Sequence, residues 1–451
     1  MRMKKLFSTK AEAWISSLGL LALGGFYLRW LLLGGRANRA GHCMALLSLL
    51  LFAAVCLRFV RRWMEFWTPG KLPEPRESRG KPLWLVFLAA LAAALLELGL
   101  ILLWRGLVAG DTGSLEERLN WFGRIDSGNY VDIALYWYAP TPLANERRLV
   151  FFPLYPLLIR ALHKTGLEIC TAGTLVSLLC FSASCCLLYQ LLLLDYPERQ
   201  ARAALKYTLL LPAAFFFVLP MSESVFFLCC LGSFCLARRG RWLGAGLSGA
   251  LAAFSRSLGV LMLVPLVFEA VSAWVREKKK PLQGILSLLS CFLTLLGTGV
   301  YLYINWRYTG DPLEFLKLED AYWGQNMGSF FQTLAYQTDN ALADIQQPWY
   351  TTSLGVWIPN VLCALGALAL MAWAAGRLRA SYSLWFIVYF FFAVAPSFLI
   401  SGPRYLVAAV PLYPALAELG RKRRLEPWIA VLCALGAAAY LFCFLQEWEV
   451  Y

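Results

Sequence analysis

Asp126 stands in the stretch WFGRIDSGNYVDIALYWY, Trp121 to Tyr138, where glycines and amide side chains lead into a run of aromatic residues. Tyr130, Ile133, Ala134 and Trp137 recur at three- and four-residue steps, which predicts a short amphipathic helix beginning near Ser127 and Gly128. A carboxylate at that start has two readings. As an N-cap it accepts backbone N–H groups and contributes about 1 kcal/mol to the helix. As a base, held ionised by the helix N-terminus and by Arg124, it takes a proton from a hydroxyl group. The two roles are compatible.

Other charges are placed with similar economy. In FFPLYPLLIRALHK, Phe151 to Lys164, Pro153 and Pro156 suit the entry turn of a helix, and Arg160 and Lys164 are spaced i, i+4, close enough to reach one phosphate or simply to anchor at a membrane surface. Glu223 in LPMSESVFF, Arg256 in FSRSLG and Arg404 in SGPRYL each sit at a turn between short apolar runs. One charge near a helix end reaches water at little cost and can be a mere boundary marker. Three such turns together point to a cavity with an acid on one wall and guanidinium groups on another, and the planar guanidinium fork suits phosphate. Glu97 lies inside an apolar run and reads as a structural acid with a buried partner. Gly244, Gly246 and Gly249 read as positions of close helix packing.

Metal and redox chemistry find little support. His42 and His163 are the only histidines, and most of the 13 cysteines fall in apolar runs without CxxC spacing, where they behave as small hydrophobes. No DxD accompanies Asp126, so neither a divalent metal nor another cofactor is inferred.

The elements that must position these groups are membrane helices. Of the 451 residues, 60% are hydrophobic and 15% charged, outside the range of soluble domains. Apolar runs near 12–34, 42–60, 83–104, 174–194, 206–219, 223–237, 242–256, 258–274, 282–304, 353–375, 382–400, 404–419 and 427–446 predict an all-α polytopic protein with about thirteen transmembrane helices. The first run is a retained anchor, being too long for a signal peptide and lacking a small-residue cleavage pattern. The net charge of +14 is gathered at helix ends, which argues against a nucleic-acid partner. With the N-terminus in the cytoplasm, the basic stretches at 2–10, 61–81, 199–206, 238–241, 276–280, 377–379 and 421–424 all fall on the cytoplasmic side, as the positive-inside rule requires. Two long segments, 105–173 and 305–352, then face outward, as does the C-terminal EWEVY. Their alternation of polar and aromatic residues predicts amphipathic helices in the interfacial layer.

Read together, RIDSGNYVDIA, FFPLYPLLIRAL, PMSESVFFLCCLGSFCLARRGRWLGAGLSGALAAFSRSLGVLMLVPL, TGDPLEFL with Trp323 downstream, and PRYLVAAVPLYPALA resemble the PIG-V family in content and order, from about Leu83 to Gly420. That family, of which GPI mannosyltransferase 2 is the eukaryotic type, has the GT-C fold. The resemblance implies an inverting membrane glycosyltransferase that moves a sugar, usually mannose, from a polyprenyl-phosphate donor to a glycolipid, glycan or protein acceptor on the outer or lumenal face. It assigns Asp126 as catalytic base; Glu223, Arg256, Arg404, Arg160, Lys164, Tyr130 and Trp323 are the substrate-binding candidates. The expected organisation is an extra helix pair (1–60), a basic cytoplasmic linker (61–82), a catalytic core (83–420), and a last helix with an outer C-terminus (421–451). Such a protein belongs in a bacterial cytoplasmic membrane, or in the endoplasmic reticulum membrane of a eukaryote. A transporter or flippase would instead carry charges near the midplane and paired broken helices in two related halves. A non-catalytic scaffold of the same fold is the other alternative.

Overall fold

The computed structural model describes residues 2–66, 80–139, 146–277 and 280–450. Most of the basic linker (67–79), Lys278, Lys279 and the side chain of Arg124 lie outside that description. Among the described residues the regular elements are helical, apart from one isolated bridge between Met327 and Pro396. Eight helices are long and apolar enough to cross a membrane: Lys10–Leu32, Arg39–Met64, Leu83–Val108, Ile169–Leu193, Ser257–Arg276, Pro281–Thr309, Tyr350–Ala374 and Glu426–Leu445. The chain is a multi-pass helical membrane protein.

The expected count of thirteen spans is not confirmed at its shorter runs. Glu223–Arg238, Trp242–Ser255 and Ala380–Val394 have 16, 14 and 15 residues. At 1.5 Å per residue they reach roughly 21–24 Å, short of a hydrocarbon core of about 30 Å. The runs at 206–219 and 404–419 are not single helices, and proline is the cause in both. Leu211 is extended (φ −67°, ψ 146°), as a residue before proline prefers, and the chain resumes as a 3₁₀ turn at Ala214–Phe217. Pro411 has no N–H to offer the Val407 carbonyl, so Gly402–Val407 stops and Leu412–Leu419 starts afresh. The hydroxyl of Tyr413 donates to that same Val407 oxygen at 2.8 Å, replacing the missing bond.

The N-terminal helix pair does not behave as a separate unit. Helix Arg39–Phe66 is built into the core, with Phe52 packed on Phe330 and Phe390 (ring centroids 4.7 and 6.1 Å) and Arg62 donating to the Leu378 carbonyl at 3.2 Å. Helix Arg2–Leu32 is largely exposed and meets the body near its end, where Tyr27 and Trp30 contact Phe331. Close packing at the glycines is as expected: a Cβ on Gly246 would strike the Ser290 carbonyl, and one on Gly249 would strike Thr294. Glu97 departs from expectation, since its Oε2 is buried without a hydrogen-bond partner.

Helix Glu223–Arg238 sets the polarity of the molecule, with Glu223 at one end and Arg238 at the other. Arg238 forms a two-pronged pair with Asp195 (2.7 and 2.8 Å), and nearby Arg199 donates to the Gly420 carbonyl at 2.9 Å. Arg238 and Arg199 thus lie at the end opposite Glu223. The described part of the segment 105–173 lies at the Glu223 end, where Trp121 donates to Glu447 at 2.8 Å. Within that segment the helices Leu115–Asn120, Ser127–Tyr136 and Leu154–His163 form in turn, the first closed by a capping box between Ser114 and Glu117.

Candidate active site

Four charged side chains from four distant parts of the chain meet at one point. Asp126 links the 3₁₀ turn Trp121–Arg124 to helix Ser127–Tyr136, and Tyr130, Ile133 and Ala134 of that helix are buried as the spacing requires. The N-cap reading of Asp126 fails. Its backbone is already helical (φ −59°, ψ −20°), its side chain makes no capping bond, and the carboxylate turns instead to Arg404, whose Nη1 donates to Oδ2 at 2.5 Å.

Arg404 also donates through Nε to Glu223 Oε1, and Arg256 donates through Nη1 to the same oxygen. Glu223 is therefore not at a solvated turn. It is fully buried between two guanidinium groups, and its Oε2 has no hydrogen-bond partner. Ser222 beside it receives a bond from Arg256 (3.3 Å) and is hydrogen-bonded to the Tyr130 hydroxyl (2.8 Å), which ties helix Ser127–Tyr136 to helix Glu223–Arg238. Two carboxylates and two guanidinium groups balance in charge. Because a guanidinium has five N–H donors, Arg256 and Arg404 both keep donors to spare.

Local backbone and aromatic faces aim these groups. Arg256 is extended (φ −157°, ψ 151°) where helix Trp242–Ser255 ends, so its side chain leaves the helix surface and lies over the Tyr405 ring at 5.2 Å. Arg404 lies over Phe216 at 5.5 Å. The loop leading to Arg404 is clamped from below: Asn360 donates to the Leu399 carbonyl (2.7 Å) and accepts from Gly402 N–H (2.8 Å), while Gln337 donates to Leu399 as well (2.7 Å). Buried amides held this way specify one loop conformation, since leaving them unpaired would be costly.

The cluster opens into a cavity of about 850 Å³. Asp126, Tyr130, Arg256, Arg404 and Tyr405 line it together with Glu319 and Trp323 of helix Glu314–Trp323 and with Trp357 and Glu449. Trp357 belongs to a π-turn, Ser353–Trp357, that precedes Pro359, and the C-terminal strand of chain packs on Gly355 so closely that a Cβ there would meet the Glu449 carbonyl. Wide turns of this kind displace side chains from the regular helical face.

Of the residues singled out in the sequence, Asp126, Tyr130, Glu223, Arg256, Arg404 and Trp323 come together here. Arg160 and Lys164 do not. Arg160 donates to the carbonyls of Ala134 (2.5 Å) and Leu135 (3.1 Å), closing the C-terminus of the Asp126 helix, and Lys164 is exposed at the end of helix Leu154–His163. Neither lines the cavity around Asp126, and Arg160 instead holds the end of the Asp126 helix. Sequence reasoning missed Ser222, Gln337, Asn360, Tyr405, Glu319 and Glu449. Only Ser222 and Tyr405 were signalled, by adjacency to Glu223 and Arg404. Among the described residues no group of three or more His, Cys, Asp and Glu is arranged to hold a metal.

The fold and site define a polytopic membrane protein with a charged, aromatic-lined cavity at the end opposite its basic clusters. No family model matches the chain, and no curated protein matches it. Among solved structures it is similar to ArnT from Cupriavidus metallidurans bound to undecaprenyl phosphate, at 16% identity and a TM-score of 0.42, over 66% of this chain and 56% of that one. The chain thus spans little more than half the length of that structure, and the likeness is too partial to bear on function.

Proposed function

We propose that this protein is a GT-C-type glycosyltransferase that moves a sugar, mannose by its resemblance to PIG-V proteins, from a polyprenyl phosphate to a lipid-linked or cell-envelope acceptor. The observation that carries the reading is the meeting of Asp126 with Arg404, Glu223 and Arg256 at the mouth of one cavity. A lipid-phosphate donor stays in the bilayer, so its phosphate needs cations near the surface, and it leaves already charged. No general acid is then required. One base must take the acceptor's hydroxyl proton as the new C–O bond forms and the bond from the sugar to phosphate breaks, a contribution of about 10²- to 10⁴-fold.

Arg256 and Arg404 are the phosphate ligands in this reading, and Glu223 holds both guanidinium groups in place. Asp126 shares Arg404 with the incoming phosphate. A bound phosphate competes for the Arg404 N–H groups and releases the carboxylate to act as base, so that donor binding and activation of the base are one event. The active face is the outer or lumenal side, by the positive-inside rule, in a bacterial cytoplasmic membrane or its endoplasmic reticulum counterpart.

The test is Asp126→Asn in purified, detergent-solubilised protein. The variant should keep its elution profile, bind undecaprenyl phosphate at least as tightly as wild type because the competing carboxylate is gone, and lose turnover of polyprenyl-phosphate sugars by about 10²-fold or more. Near-normal release of polyprenyl phosphate would remove Asp126 as the base and leave the cluster a structural one.

A further inference from the structure

Helix Glu314–Trp323 turns one face to the cavity, carrying Phe315, Glu319 and Trp323 at i, i+4 and i+8. Its other side is occupied by ordinary surface pairing, Lys317 reaching Asp311 (2.6 Å) and Glu314 (3.0 Å). The cavity face is organised differently. Phe315 is fixed edge-on to Tyr301 (5.2 Å) and Trp323 edge-on to Phe151 (6.2 Å), so both rings are held from behind. The carboxyl between them makes no hydrogen bond or ion pair with any described residue. Desolvation by burial pushes it up to about 7. A carboxyl kept partly out of water with no protein partner is expensive unless a ligand supplies one.

The chemistry of this helix face differs from that of the arginines lining the same cavity. Arg256 and Arg404 suit an anion. Two aromatic rings flanking a carboxyl suit a group with apolar C–H surface and several hydroxyl donors, because rings pack on the former and a carboxyl accepts from two of the latter at once. We propose that Glu319, framed by Phe315 and Trp323, hydrogen-bonds hydroxyl groups of the transferred sugar and sets which sugar the enzyme accepts. The assignment rests on the glycosyltransferase reading above. A site built to bond a hydroxyl discriminates strongly against ligands that lack it, since its own polar group is then stranded.

The experiment compares binding of bare undecaprenyl phosphate with undecaprenyl phosphate carrying mannose, glucose or galactose, in wild type, Glu319→Ala and Glu319→Gln, each checked for a wild-type elution profile. Wild type should bind at least one sugar-bearing lipid more tightly than the bare lipid. Glu319→Ala should lose that advantage, weakening the preferred sugar lipid by about 10- to 100-fold while leaving the bare lipid unchanged. Glu319→Gln, which keeps size and hydrogen bonding, should retain part of the advantage and alter the order of preference among the three sugars. Should wild type bind none of the four lipids, the glycosyltransferase reading itself fails. Should it bind them and the two variants keep the same preference, or should the sugar add nothing to wild-type affinity, the role of Glu319 is overturned while that reading stands. A variant that elutes as aggregate is replaced by the other, and the same comparison decides.

Discussion

Carboxylates pair with guanidinium groups at both ends of this molecule, but the two ends are built on different terms. At the basic end, Glu269 accepts from Arg379 Nε and Nη2 (2.5 and 2.6 Å) and from Ser381 (2.5 Å), and Asp195 accepts both prongs of Arg238 and the Tyr382 hydroxyl (3.3 Å). Each acid there has its own arginine and both of its oxygens are used. At the other end Glu223 offers one oxygen to two arginines and none of the protein's donors to the second, while Asp126 shares Arg404 and is a third exposed. A large cavity lies in front. Saturation separates the two: closed pairs hold helices together, whereas an incompletely used set retains capacity for a ligand.

The largest effect that would sharpen this contrast comes from neutralising one acid at each end. Glu269→Gln removes the charge from a closed pair and should destabilise the protein by about 3 kcal/mol, with turnover per folded molecule unchanged. Glu223→Gln should also lower thermal stability but cut turnover by roughly tenfold or more, because both phosphate-binding arginines lose their anchor. Unfolding profiles and turnover measured on the same preparations decide the matter. Equal losses of turnover in the two variants would erase the distinction between the ends.

An intermediate effect is expected from geometry at constant charge. Arg404 spans Asp126 and Glu223 simultaneously through separate nitrogens, which a lysine ammonium cannot reproduce. Arg404→Lys and Arg256→Lys should each weaken undecaprenyl phosphate binding by about tenfold, or about 1.4 kcal/mol, with acceptor affinity less affected. Unaltered donor binding in both would reclassify this end as structural, like the other.

The smallest effect concerns pH. Glu319 has its carboxyl raised by burial from 4.5 to about 7, with the Tyr301 and Tyr405 phenols near it and Arg256, Arg404 and Asp126 lining the same cavity. The folded protein then holds a proton that the unfolded chain has released, so this group's contribution is full below about pH 4.5 and is lost as pH rises through about 7. Thermal stability of wild type measured across that window should carry a downward slope from this residue, and Glu319→Gln should flatten it. A slope identical in both proteins would place the titration elsewhere.

Much of the site was legible because its members stand out locally. Asp126, Glu223, Arg256 and Arg404 are charges at turns in a chain that avoids charge, and that alone singles them out as candidates for one cavity. Gln337 and Asn360 were invisible for the opposite reason: neutral amides inside or beside apolar runs carry no positional signal until the Leu399 carbonyl they hold is known. Glu319 and Glu449 resembled any other interfacial acid. The misreading of 206–219 and 404–419 as spans came from weighing hydropathy above Pro212 and Pro411, whose missing N–H groups break those runs.

By itself the sequence determined that the chain is helical and crosses a membrane many times. Those properties depend on hydrophobic length, which is local. Only the tertiary structure decided which charges meet. Asp126 and Arg404 are 278 residues apart, Glu223 and Arg404 181, and Glu269 and Arg379 110. Nothing in the residues around any of them says whether its partner will saturate it. That is settled by helix packing and by the loops it clamps, which leave one cluster closed among helices and the other open on a cavity.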